Sequence, residues 1–216
     1  AIIYRLHFGN SLENSPSLDT VNFTATASNG GTTESKIRFV KEGANWYGLQ
    51  VTDQERLLVH QFGNSLTNNN LTTNAYVNPF GLFADPKDLV IVEQNDSVFA
   101  VVINRSSDNI SIVRFGNSIS NGPISGYNES ILEDSSYLNN SACLEVKKYC
   151  DDWFVFAASP TTDNIVRVNF GAYFNGSATG TALFTNGSIS NPKSIEITEE
   201  NGNFYGFVKS NAGTGI

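Results

Sequence analysis

Four short apolar segments of this chain end alike, at Phe8-Gly9-Asn10-Ser11, Phe62-Gly63-Asn64-Ser65, Phe115-Gly116-Asn117-Ser118 and, in divergent form, Phe170-Gly171-Ala172-Tyr173. The steps between the phenylalanines are 54, 53 and 55 residues. So regular a period means one supersecondary unit repeated in series, and a period near fifty fits propeller blades and not the shorter helical repeats.

Alignment on the phenylalanines exposes three further segments per unit. The first comprises Lys36 to Val40, Asp88 to Val92, Cys143 to Val146 and Ser194 to Ile197. The second starts nine residues after the first apolar residue of each of these, at Trp46, Val98, Trp153 and Phe204. Polar, Gly- and Asn-rich linkers such as 41–45, 93–96 and 199–203 have the chemistry of hairpin turns between them. The third segment is the one ending in Phe-Gly, and its alternation puts Leu6, His60, Val113 and Val168 on the same face as the phenylalanine. Glycine then permits the positive φ of a forced turn, and Asn and Ser can hydrogen-bond the turn backbone. The fourth segment is the least regular, with candidates at 21–27, 75–83, 129–132 and 181–184, as expected of an outer, partly solvated strand.

No helical spacing of apolar residues persists. The expected fold is therefore all-β, a β-propeller of four-stranded antiparallel blades about 54 residues long. Whole blades fall at about 36–83, 88–132 and 143–184, with a split blade formed by 1–27 and 193–209. Two closures are open. Strand Phe204 to Lys209 pairs with Ile3 to Phe8 and seals a four-bladed ring, or the chain is part of a larger ring.

A net charge of −8 and a pI near 4.7 oppose binding to nucleic acid or anionic lipid through charge, since both need a basic face. No apolar stretch reaches the roughly 20 residues of a membrane-spanning helix. There is no methionine, and the chain opens on Ala1-Ile2-Ile3-Tyr4 already in a strand pattern, which reads as a mature product or an excised piece of something longer. Richness in Asn, Ser, Thr and Gly leans toward an extracellular location. In a eukaryotic secretory protein the nine Asn-x-Ser/Thr sequons would carry glycans on surface loops, but a chain this rich in Asn, Ser and Thr also makes many by chance. Two cysteines, Cys143 and Cys150, are too few for a disulfide scaffold or a zinc site, and they read as a buried and an exposed free thiol.

Only two histidines exist, His7 and His60, and neither has the company of a triad or a metal site. No catalytic, metal or cofactor residue is therefore expected, and the chain reads as a non-enzyme. Carboxylates are the one remaining acid–base chemistry. Propeller ligands usually meet the face where innermost strands begin and where the loops between second and third strands gather. On that face the repeat places Arg38, Lys87, Glu145, Lys193, Glu196 and Arg105 as candidate ligand contacts. Arg38, Glu145 and Glu196 share one repeat position on different blades, where they either grip a polar ligand or close the channel by ion pairing. Trp46 and Trp153 occupy a slot that Val98 and Phe204 also fill, so the slot asks for bulk between blades and not for a sugar platform. Tyr76, Phe80, Tyr127, Tyr137 and Tyr173 lie outside the repeat phase, as adaptable recognition residues or as covers of the blade edges.

The run Tyr4-Arg5-Leu6-His7-Phe8-Gly9-Asn10-Ser11-Leu12, together with Trp46-Tyr47-Gly48, resembles the propeller-like repeats of secreted and cell-surface proteins of Bacteroidota. Those repeats belong to large multidomain chains exported by type IX secretion. The resemblance covers all four copies, least well at Phe170, and implies a surface location and a binding role without catalytic residues. The expected function is an extracellular binding or display module of an adhesin-like protein. Its partners would be a glycan or protein on a surface and the other domains of its parent chain, with no nucleic acid and no membrane insertion. Two alternatives stand beside it: a receptor-binding or tail-fibre module of a bacteriophage, and a carboxylate-dependent glycan hydrolase or lyase.

Overall fold

The computed structural model describes residues 3–25, 36–129, 137–174, 178–183 and 189–211. Among them the chain is all-β. A first unit consists of β1 (Ile3–His7) and β2 (Ser17–Ala25), and a second of β3 (Ile37–Glu42), β4 (Asn45–Thr52), β5 (Arg56–Gly63) and β6 (Asn70–Val77). There follow β7 (Pro86–Gln94), β8 (Ser97–Asn104), β9 (Asn109–Gly116) and β10 (Ser125–Glu129), then β11 (Cys143–Tyr149), β12 (Asp152–Ser159), β13 (Asn164–Gly171) and β14 (Thr179–Ala182). The last pair is β15 (Pro192–Glu200) and β16 (Asn203–Ser210).

Strands β3 to β6, β7 to β10 and β11 to β14 each form a four-stranded antiparallel meander, and β15 and β16 repeat the first half of one. The first strands β3, β7, β11 and β15 contact one another in series, as the innermost strands of propeller blades do. The nine-residue spacing seen in the sequence is the hairpin register: Lys41 faces Trp46, Glu93 faces Val98, Lys148 faces Trp153 and Glu199 faces Phe204.

Alternation explains how the blades stack. Tyr47, Leu49, Val51 and Val59 of one blade pack against Val98, Ala100, Val102, Val113 and Phe115 of the next. The opposite face of that second blade, with Phe99, Val101, Ile103 and Ile112, packs against Leu144, Val155, Ala157 and Val168 of the third. Strand β8 is thus buried at every position, which is why Val98 to Ile103 reads as an unbroken apolar run. Cys143, Ala158 and Ile165 pack in turn on Ile195 and Ile197.

The four Phe-Gly turns share a left-handed glycine, and three of them share the serine contact that follows. Gly9, Gly63, Gly116 and Gly171 have φ of 72°, 68°, 72° and 65°, the left-handed region that a side chain would strain. Ser11, Ser65 and Ser118 then accept the backbone N–H groups of Glu13, Thr67 and Ser120 at 3.2, 3.1 and 3.2 Å. The side-chain amides of Asn14 and Asn68 donate back to the carbonyls of Phe8 and Phe62. In the third copy the residue after the serine is a plug: Ile119 is buried against the preceding blade, and in the fourth copy Phe174 fills the same place beside Phe99, Trp153 and Phe170. The preceding blade holds each plug. Glu42 accepts from Ile119 N at 3.1 Å and Ser118 Oγ at 2.7 Å, while Gln94 accepts from Phe174 N at 3.2 Å and donates to Ala172 O at 2.5 Å.

Two expectations are corrected. The fourth strands start earlier than the apolar residues implied: β2 begins at Ser17, β6 at Asn70, β10 at Ser125 and β14 at Thr179, while 26–27, 130–132 and 184 lie outside the described residues. Nor does β1 lie beside β16. It pairs with β2, and β2 runs parallel to β6, Asn22 to Ala25 beside Asn70 to Thr73. The Arg5 guanidinium fastens this hairpin to the turn after β5, donating to Leu66 O at 2.6 Å and Asn69 Oδ1 at 2.6 Å and pairing with Asp19. Among the described residues β16 pairs with β15 alone, so the sheets form no closed ring.

Candidate functional site

The innermost strands begin at one end of the axis, where the loops after β4, β8 and β12 also gather. A cavity of about 640 Å³ opens there, and four successive units line it: Lys36 from the β3–β6 blade, Lys87 and Arg105 from the β7–β10 blade, Asn140 and Pro160 from the β11–β14 blade, and Lys193 and Lys209 from the β15–β16 pair. Three of the expected residues, Lys87, Arg105 and Lys193, therefore meet in one place. Arg38 and Glu145 line a separate groove of about 530 Å³ along the inner strands, with Val90 and Trp153. Glu196 is exposed and lines neither.

The local chain explains how the mouth is held. Asp85 has φ of 54°, a left-handed turn that Asp tolerates, and Pro86 then starts β7. Asp85 pairs with Lys87 Nζ at 2.6 Å and with Arg105 Nη2 at 2.5 Å, and its carbonyl accepts the Arg105 amide at 3.1 Å. Partial burial pushes the Asp85 carboxyl up, but the neighbouring ammonium and guanidinium outweigh this and hold it below the usual carboxylate range.

Asp88, fully buried, ties three inner strands together. Its carboxylate meets Lys36 Nζ at 2.7 Å and Arg38 Nη2 at 3.5 Å, and accepts the amides of Leu89 at 2.9 Å and Leu144 at 3.2 Å. Arg38 also donates to Leu89 O at 2.9 Å. The expected Arg–Glu pairing across the channel is replaced by this Asp88 hub, and Glu145 pairs instead with Lys147 at 3.0 Å.

The loop aspartates are structural. Asp108 accepts the amide of Asn140 at 3.1 Å and Asp163 that of Asn191 at 2.6 Å, each latching one blade to the next at a positive-φ residue. His60 is buried and neutral between Thr73 Oγ1 at 2.9 Å and Gln50 Oε1 at 3.3 Å, and burial lowers its pKa to about 4. His7 is exposed. Trp153 packs between blades as its slot implied, and so do Tyr76, Tyr127 and Tyr137; Phe80 and Tyr173 remain exposed.

Sequence reasoning missed Lys209 as a mouth residue. The signal was present: Lys209 stands where Val51, Ile103 and Ala158 stand in the other copies, a charge in an apolar slot.

No protein family matches the sequence, and no curated relative does. Solved structures resemble the fold. One is a chain titled "Bifunctional GH43-CE" from Bacteroides eggerthii, with a TM-score of 0.51 and 9% sequence identity over 83% of this chain. The match spans 26% of that protein's length. An identity this low speaks for the fold alone. The expectation of a non-enzyme is corrected to this extent: the fold that seemed to offer only a binding scaffold is shared with a protein titled GH43-CE, so it gives no ground for excluding catalysis.

Proposed function

We propose that the protein is carbohydrate-active, holding a glycan at the axial mouth and hydrolysing a glycosidic bond there. The observation that carries this reading is the convergence of four successive units on one polar cavity beside an ionised carboxylate, Asp85. The propeller-like fold shared with a GH43-titled protein supports it.

Glycoside hydrolysis needs two carboxyl groups flanking the bond, one to protonate the leaving oxygen and one to act as ionised base or nucleophile. Asp85 suits the second role, since Lys87 and Arg105 fix its direction and keep it charged at neutral pH. For the first role the candidate to be tested is Glu145, which lines the separate groove along the inner strands. Asp88 is spent on holding β3, β7 and β11 together. Acting outside the cell as one module of a larger surface chain belongs to the same proposal.

The test is release of reducing sugar from a panel of plant and microbial polysaccharides, compared between the parent protein, Asp85→Asn and Glu145→Gln. Each variant should lose about a hundredfold or more in kcat, the range of a positioned acid or base, while still melting cooperatively. A folded parent protein that cleaves nothing on the panel, or an Asp85→Asn variant as active as the parent, would overturn the reading.

A further inference from the structure

Resting on that reading of the mouth, we propose that the bound glycan is anionic, a uronate-containing polysaccharide whose carboxylates are taken by Lys193 and Lys209. The charge distribution is the first ground. The whole chain has 13 lysines and arginines and a net charge of −8, yet five of those cations line this one cavity. Like charges gathered in one mouth repel each other unless counter-charge is supplied.

The chain supplies that counter-charge to only part of the set. Asp85 answers Lys87 and Arg105, and Asp88 answers Lys36 together with Arg38. Among the described residues, no carboxylate reaches Lys193 or Lys209. Both are exposed at the rim, on neighbouring strands in register, Ser194 facing Lys209.

The repeat is the second ground. Val51, Ile103 and Ala158 are buried in the slot that Lys209 occupies, so blade packing does not ask for a lysine there. A flexible ammonium suits a carboxylate presented from a sugar ring as a point-charge partner. The cavity's volume, about 640 Å³, lies within the range of roughly 300–1,000 Å³ that small-ligand sites occupy. A uronate chain brings one negative charge per acidic sugar, and the two adjacent lysines can each take one.

The experiment is calorimetric titration with three probes of matched length: an oligogalacturonate, a neutral galacto-oligosaccharide and a sulfated oligosaccharide. The parent protein should bind the oligogalacturonate at least tenfold tighter than the neutral probe, with an affinity that falls as salt rises. In the double variant Lys193→Gln/Lys209→Gln, the ratio of acidic to neutral affinity should fall to about one. Equal affinity for the acidic and neutral probes, a preference for the sulfated probe, or an unchanged ratio in the folded double variant would overturn the inference. The two readings fail separately. Cleavage of neutral glycans without acidic preference removes the uronate and leaves the hydrolase. An acidic preference lost in the double variant, in a protein that cleaves nothing, removes the hydrolase and leaves the uronate site.

Discussion

The four copies of the unit let one slot be compared in different surroundings. Ile119 and Leu12 both follow the Phe-Gly-Asn-Ser turn, but Ile119 is 1% exposed and Leu12 is 85% exposed. Ile119→Ala should cost about 2–5 kcal/mol in urea unfolding, because it empties a packed site between blades. Leu12→Ala should stay within about 0.5 kcal/mol. His60 gives a pH signature. Its folded pKa of about 4 lies below the ordinary value of 6.5, so the unfolded chain takes up the proton first as pH falls. Its contribution is intact above pH 6.5 and is lost between there and about pH 4, up to about 3 kcal/mol. His60→Gln should flatten the dependence of the urea midpoint on pH in that window; a slope as steep as the parent's would mean that other groups cause it. The phenylalanine turns, the inward face of His60 and the packing of Trp153 were legible in the sequence, since each follows from alternation, from the repeat or from a positive φ. Asp88 was not, because a carboxylate buried among three strands looks in sequence like any charge at the start of a strand.

Between elements, the junctions rest on side chains that reach from the end of one inner strand to the next blade's turn. Glu42 and Gln94 occupy the same slot and hold the plug residues Ile119 and Phe174 by their amides. Glu42→Ala should cost about 1–3 kcal/mol, the penalty for leaving a partly buried donor unmet, while Glu42→Gln should be nearly neutral because Gln94 already does the same work. Thermal melts of both variants check this, and equal losses would show that the charge of Glu42 matters more than its reach. The strand order within each blade was readable from the nine-residue spacing. These latches were not, since Glu42 and Gln94 stand at hairpin ends where any polar residue is expected. The outer strands were misplaced for a related reason: Asn70-Leu71-Thr72-Thr73 reads as turn, yet only Leu71 and Thr73 face inward and the rest is solvated or at the edge.

For the chain as a whole, a series of four-stranded antiparallel sheets was legible and ring closure was not. Closure depends on which edge the hairpin of β1 and β2 prefers, and the contacts that decide it, Arg5 on Leu66 and Asn69, are far apart in sequence. Tyr205 and Phe207 are 46% and 64% exposed where their counterparts Tyr47 and Leu49 are buried at 6% and 0%. Because β1 sits at the end of its sheet, deleting residues 1–12 should leave hydrogen-exchange protection in β8 and in β15 to β16 unchanged. Loss of protection at Phe204 to Phe207 would instead reveal pairing of β1 with β16. The location of the ligand is open to direct measurement, as amide chemical-shift perturbation on titrating an oligogalacturonate into the ¹⁵N-labelled protein. Shifts should concentrate at Lys36, Lys87, Arg105, Asn140, Lys193 and Lys209, the mouth that four successive units share. Shifts confined to the outer strands β6 and β10 or to the loop at Tyr173, with the mouth silent, would contradict the account.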